Sequence, residues 1–199
     1  MKNGSPVSKE QLDLAVLDTQ DELYRAGFWN EGCRLLKTEV YWCRISIHDA
    51  HDAGGFFHHD HPNTFGRFLG FAVGHIYIPQ WVLWQGPWGQ QRGSLRDVVR
   101  HEYGHALAHY YPSLIQQGPR FRDVFGGDYW SEDEFEYDPE FFVSEYAATM
   151  PMEDYAETFM VYLRSGGKLP ERFATPSIKK KWKFIRDLGR VVSSGGCSW

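Results

Sequence analysis

The sequence predicts an α+β fold, in which a small mixed sheet packs with helices. Two observations support this fold class. β-Branched and aromatic residues are concentrated in the segments 38–48, 67–72 and 75–78, as is typical of strands. Elsewhere, apolar residues recur at three- and four-residue spacing, and these segments begin at helix-capping residues and end near glycine or proline.

The elements are predicted in the following order. Ser8 and Gln11 have the spacing of a capping box, and the helix that they start should end at Gly27. Strands follow at 38–48, 67–72 and 75–78, and a loop rich in histidine, glycine and aspartate separates the first two.

Three further segments are predicted to be helical. The first begins at Ser94, where Asp97 follows three residues later, and runs to about Tyr110. The second covers about 152–164 after Pro151, and a C-terminal helix covers about 177–188. Residues 118–139 are predicted to be irregular and to form a wall or lid.

Composition limits the classes of protein to consider. The 199 residues suit a single domain, 1–199, although two halves, 1–112 and 113–199, around a cleft would also fit. The net charge of −5 argues against nucleic acid or an anionic membrane surface as the partner, and we expect a monomer. No apolar run approaches the roughly 20 residues that span a membrane, and no signal peptide is recognisable. We therefore expect a cytoplasmic protein, or a secreted one if Met1 stands in place of a leader.

The three cysteines, Cys33, Cys43 and Cys197, show no C-x-x-C spacing, which argues against a cysteine zinc site. A disulfide between Cys33 and Cys43 stays open. Six of the nine histidines lie between His48 and His75. Residues of this loop, 48–61, include ligand types for a second metal, but their spacing matches no motif, and solvated side chains explain them more simply.

The segment His101-Glu102-Tyr103-Gly104-His105 has the H-E-x-x-H pattern of zinc hydrolases. On a helix, His101 and His105 lie on one face and can bind one Zn²⁺. Glu102 then lies beside the metal, where it can take a proton from zinc-bound water. The sequence therefore predicts Zn²⁺ as the cofactor.

A catalytic zinc needs a third protein ligand. His109 lies about 12 Å along the helix axis from His101, too far to share one ion. In the metzincin pattern, glycine and histidine would replace Ala108 and Tyr111. Glu153 is the best candidate.

Glu153 and Glu157 are four residues apart on the second predicted helix. One of them can bind the zinc ion while the other accepts the free N–H of a ligating histidine. The alternative is an acidic first turn, which the helix dipole favours in any case.

These residues resemble the gluzincin metallopeptidases, especially compact ones such as the anthrax lethal factor catalytic domain and the bacterial Pro-Pro endopeptidases. In that group a tyrosine lies seven residues before the ligand glutamate, and a second glutamate lies four residues after it. Tyr146, Glu153 and Glu157 have both spacings. The resemblance covers residues 101–157.

The resemblance implies a zincin-like fold in which Glu153 completes the zinc site and Glu157 orients a histidine. It also implies that Tyr146 donates a hydrogen bond to the oxyanion. An edge strand before the zinc helix should pair with an extended substrate. Residues 75–78 are placed for that role, so His75 and Tyr77 are predicted to bind substrate. Trp81, with Trp84 and Trp88, can wall the cleft or pack in the core.

The sequence thus predicts a zinc endopeptidase that acts on a peptide or protein, with Glu102 activating zinc-bound water and Tyr146 stabilising the oxyanion. Two alternatives stay open. One is hydrolysis of a non-peptide amide at the same zinc. The other is an inactive module that holds zinc for binding, against which the presence of both Glu102 and Tyr146 argues.

Overall fold

The computed structural model describes residues 6–31, 39–43, 56–58, 75–79 and 94–199. The helices are α1 (Lys9–Arg25), α2 (Leu95–Tyr110), α3 (Pro119–Phe125), α4 (Pro151–Arg164) and α5 (Pro176–Ser193), with short 3₁₀ helices at Tyr146–Ala148 and Glu171–Phe173. The strands are β1 (Glu39–Cys43), β2 (Phe56–His58) and β3 (His75–Pro79).

The predicted α+β class is wrong for the described part of the chain, more than half of which is helical. Strand residues there are confined to three segments of five, three and five residues. Most contacts between the described elements join one helix to another, so the zincin-like sheet architecture predicted from the sequence does not describe this region. Short β-rich segments mark strands, but they do not reveal that helices dominate the packing.

The prediction that residues 75–78 form an edge strand is also wrong. β3 lies between the other two strands, parallel to β1 and antiparallel to β2. The backbone of β3 is therefore paired with β1 on one side and, over residues 75–77, with β2 on the other. An extended peptide cannot add to β3 while those pairings persist.

Helices α2 and α4 form the central pair. Ser94, the predicted start of this helix, is the N-cap of α2, and its side chain and that of Asp97 form a capping box. Gly104 allows the close approach of α4, since a Cβ there would lie 3.3 Å from the Cα of Ala156 and 3.2 Å from Cδ1 of Phe159. The backbone of α4 thus packs directly on α2, the helix that carries the H-E-x-x-H pattern.

Helix α1 is joined to α2 by a buried ion-pair network. The guanidinium of Arg100 donates two hydrogen bonds to Glu22, at 2.7 and 2.6 Å, and a third of 2.6 Å to Asp97. Arg100 is the residue immediately before His101, so these bonds fix the turn of α2 on which the metal-binding pattern begins.

Helix α5 closes the core from the C-terminal side. Ile178, Trp182 and Ile185 are buried on one face of this helix. Lys181 is also buried, and its ammonium donates hydrogen bonds to Asp154 and to the carbonyl of Phe141, at 2.5 and 2.6 Å. One hydrophobic cluster contains residues from both of the halves, 1–112 and 113–199, that the sequence allowed as an alternative to a single domain.

Residues 126–150 connect α3 to α4 almost without regular structure. The predicted irregular region began at 118, but Pro119–Phe125 is a helix with proline in its first turn. Among the described helices, none is long and apolar enough to cross a membrane.

Candidate metal centre

Two histidines from α2 and one glutamate from α4 meet at the interface between these helices. Nε2 of His101 lies 3.1 Å from Nε2 of His105. Oε2 of Glu153 lies 3.0 Å from the first of these nitrogens and 3.6 Å from the second. The structure therefore brings together the three residues that the sequence singled out as ligands, and they form a group able to hold a metal ion.

The spacing of the three atoms fits a small tetrahedral ion. Bonds of about 2.0–2.1 Å in a tetrahedron put neighbouring ligand atoms about 3.3 Å apart, close to the observed 3.0, 3.1 and 3.6 Å. In addition, Glu153 Oε2 is buried and makes no hydrogen bond of normal geometry with any residue that the structure describes. Two nitrogens and one carboxylate oxygen are a donor set that Zn²⁺ accepts.

The charges around the site favour a cation. Burial alone would lower the pKa of His101, but the carboxylates of Glu153 and Glu157, 3.0 and 2.9 Å from its two ring nitrogens, outweigh burial and raise the pKa to about 10. Burial likewise opposes ionisation of Glu153, yet the two histidines lower the pKa of that carboxyl below its ordinary value. The carboxylates thus hold a positive charge between them, either a proton on His101 or a metal ion in its place.

The outer nitrogen of His101 is held by Glu157. Nδ1 of His101 donates to Oε1 of Glu157 over 2.9 Å, which leaves Nε2 facing His105 and Glu153. Oε2 of the same carboxylate accepts a 2.6 Å hydrogen bond from the hydroxyl of Ser144. Glu157 thus occupies the outer position that the family resemblance implies for it.

The outer nitrogen of His105 has a different partner, which sequence reasoning missed. Nδ1 of His105 lies 3.0 Å from the phenol oxygen of Tyr129, which belongs to the irregular segment. Burial, followed by the nearby charges of Glu153 and Glu102, raises the pKa of Tyr129, so the phenol stays neutral. No periodic pattern marks Tyr129, since it follows a glycine pair and precedes an acidic run.

Glu102 and Tyr146 differ in how far they are open to solvent beside the histidines. Glu102 is 3% exposed on α2, next to His101 in the chain. Tyr146 is 42% exposed, and its ring centroid lies 5.8 Å from that of His101. A buried carboxylate and an accessible phenol thus accompany the histidines.

The other residues that the sequence singled out are not tested by the described part of the structure. His75 and Tyr77 lie on β3, and their predicted role in substrate binding stays a prediction. Trp81, Trp84 and Trp88 lie outside the described residues, as do Cys33 and most of the loop 48–61. Cys197 is a free, exposed cysteine.

No family model, curated protein or solved structure matches this chain. The resemblance to the gluzincins therefore stays a prediction that rests on the spacing of His101, His105, Tyr146, Glu153 and Glu157.

Proposed function

We propose that this protein is a zinc-dependent hydrolase that cleaves peptide bonds. The observation that carries the proposal is the convergence of His101 Nε2, His105 Nε2 and Glu153 Oε2 within 3.0–3.6 Å of one another. The predicted gluzincin relationship supports it, because Tyr146 and Glu157 also lie at the same centre.

The three ligand residues would hold Zn²⁺, and Glu157 and Tyr129 would fix the orientation of the two imidazoles. A bound zinc ion supplies Lewis-acid polarisation and lowers the pKa of a coordinated water to about 7. Glu102 would accept the proton of the attacking water on its carboxylate. The phenol of Tyr146 would donate a hydrogen bond to the carbonyl oxygen as negative charge develops on it.

The partial exposure of Tyr146 suits this role, because a donor to the substrate carbonyl must be reachable from solvent. The burial of Glu102 suits a base, because bulk water has little access to its carboxylate. A peptide substrate, a monomeric state and a cytoplasmic location stay predictions from the sequence.

Glu102→Gln tests the proposal. The substitution keeps the shape of the side chain but removes the base, so cleavage of a peptide library should fall by at least about a hundredfold while zinc binding persists. Glu145→Gln is the matched control, because Glu145 is an exposed glutamate next to Tyr146 in the chain and should leave cleavage unchanged.

Undiminished cleavage by the Glu102→Gln protein would reject this mechanism. The parent protein should also be assayed on simple amides. Turnover of these without peptide cleavage would indicate the amide-hydrolase alternative. Zinc binding without turnover of either substrate class would indicate the binding module.

A further inference from the structure

Ser144 makes two hydrogen bonds that point to different parts of the proposed site. Its hydroxyl donates to Oε2 of Glu157 over 2.6 Å and accepts from the backbone N–H of Ala147 over 3.1 Å. Glu157 orients His101, whereas Ala147 belongs to the short 3₁₀ helix that carries Tyr146. The Ser144 side chain therefore connects α4, which carries Glu157, with the turn that carries the proposed oxyanion donor Tyr146.

We propose that Ser144 is a positioning residue that couples the placement of Tyr146 to the orientation of His101. The inference rests on the proposed function, since the value of this coupling lies in holding the oxyanion donor and the metal ligand in one arrangement.

The direction of each bond is fixed by its partner. A carboxylate can only accept, so the single proton of the hydroxyl goes to Glu157, and a lone pair remains for the Ala147 N–H. Alanine at 144 would leave Oε2 of Glu157 without this donor and would remove the acceptor that caps the turn. Threonine has the same hydroxyl group and would keep both interactions.

Other contacts also anchor residues 138–146, and these join the segment to α5. Lys181 binds the carbonyl of Phe141, and the Thr175 hydroxyl donates to the carbonyl of Glu140 over 2.7 Å. Like Ser144, Thr175 accepts from a backbone N–H at the start of a helix, here that of Ile178. Thr175→Ala is thus a matched control that loses a donor to this segment and a helix cap, here the N-cap of α5.

The first measurement is zinc affinity, by competition with a chelator of known affinity. Ser144→Ala should weaken zinc binding by up to about tenfold, the low end of the range for outer partners of a metal ligand. Ser144→Thr and Thr175→Ala should bind zinc like the parent. Equal losses in the alanine and threonine variants at 144, or an equal loss in Thr175→Ala, would overturn the proposal.

A double variant separates coupling from general loosening. If Ser144 acts on the metal through Glu157, Ser144→Ala should add no further loss of zinc affinity to a Glu157→Gln protein. Independent, multiplying losses would contradict the proposed coupling.

The second measurement is steady-state cleavage at saturating zinc. Misplacing Tyr146 should lower kcat of Ser144→Ala severalfold with KM unchanged, and this loss should vanish in a Tyr146→Phe background, where the phenol hydroxyl is already missing. A change in KM alone, or a kcat loss that persists in that background, would count against the proposal. If the parent protein fails to bind zinc, the proposed function fails; if the parent binds zinc and Ser144→Ala matches it, only the role of Ser144 fails.

Discussion

The helix pair α2 and α4 and the irregular segment 126–150 contribute to the site in different ways. The helices supply the three atoms that could hold a metal ion, from His101, His105 and Glu153. The segment supplies residues that contact these histidines or Glu157 from outside, namely Tyr129, Ser144 and Tyr146. Ligands thus come from backbone that is packed and regular, and orienting groups come largely from backbone that is irregular.

The two histidines show the consequence of this division. His101 donates to a carboxylate from α4, whereas His105 is paired with a neutral phenol from the segment. A charged acceptor forms a stronger hydrogen bond than a neutral one and makes the imidazole a better donor to a metal. We therefore expect His101 to depend more on its outer partner than His105 does.

Glu157→Gln should cause the largest effect among the outer partners. The amide keeps the shape but loses the charge that His101 and Ser144 both contact, so zinc affinity should fall by about 10- to 100-fold. Chelator competition measures the change, with Glu145→Gln as the control for loss of a nearby negative charge. A loss below about threefold would mean that the regular part of the site does not need this carboxylate.

Gly104→Val tests how closely α2 and α4 must approach. A Cβ added at this position would lie 3.3 Å from the Cα of Ala156, and the further methyl groups of valine must push α4 away. The free energy of unfolding should fall by about 1–3 kcal/mol, as is usual for overpacking. Urea denaturation of the zinc-free protein measures the change.

Gly104→Ala should have a smaller effect of either sign, because alanine gains up to about 1 kcal/mol in helix propensity over glycine. That gain offsets the crowding against Phe159 and Ala156. A valine variant as stable as the parent would show that the helices tolerate a wider separation than their contact suggests.

The same division explains what could be predicted from the sequence. Helix spacing placed His101 and His105 on one face of a helix and Glu153 and Glu157 on one face of another, and the family resemblance then gave each glutamate its role. Tyr129 was missed because irregular backbone has no period that relates a residue to its neighbours in space. Ser144 had a weak signal, because a serine hydroxyl often accepts a hydrogen bond from the backbone N–H three residues later. Nothing in the local sequence, however, indicates that the proton of this hydroxyl reaches Glu157.

The fold class could not be predicted for a related reason. Residues 75–79 do form a strand, but pairing partners in a sheet are distant in sequence, so local pattern could not place β3 between β1 and β2. Nor could it show that the described core is built mainly by helices, whose contacts join residues as far apart as Gln20 and Tyr103.

Tyr129→Phe should produce the smallest change and is the sharpest test of the contrast between the two histidines. The ring of Tyr129 packs at 5.0 Å from that of Trp130 and 5.4 Å from that of Phe121, so phenylalanine should keep its place while His105 Nδ1 loses its partner. Because the phenol is a neutral acceptor, we expect zinc affinity to fall by about tenfold or less.

The loss of zinc affinity in Tyr129→Phe should be constant between about pH 6 and 9. Burial holds the pKa of Tyr129 above its ordinary value, so the phenol does not ionise near neutrality. A loss that equals that of Glu157→Gln would reverse the comparison and make the irregular segment as important to the metal as the helices.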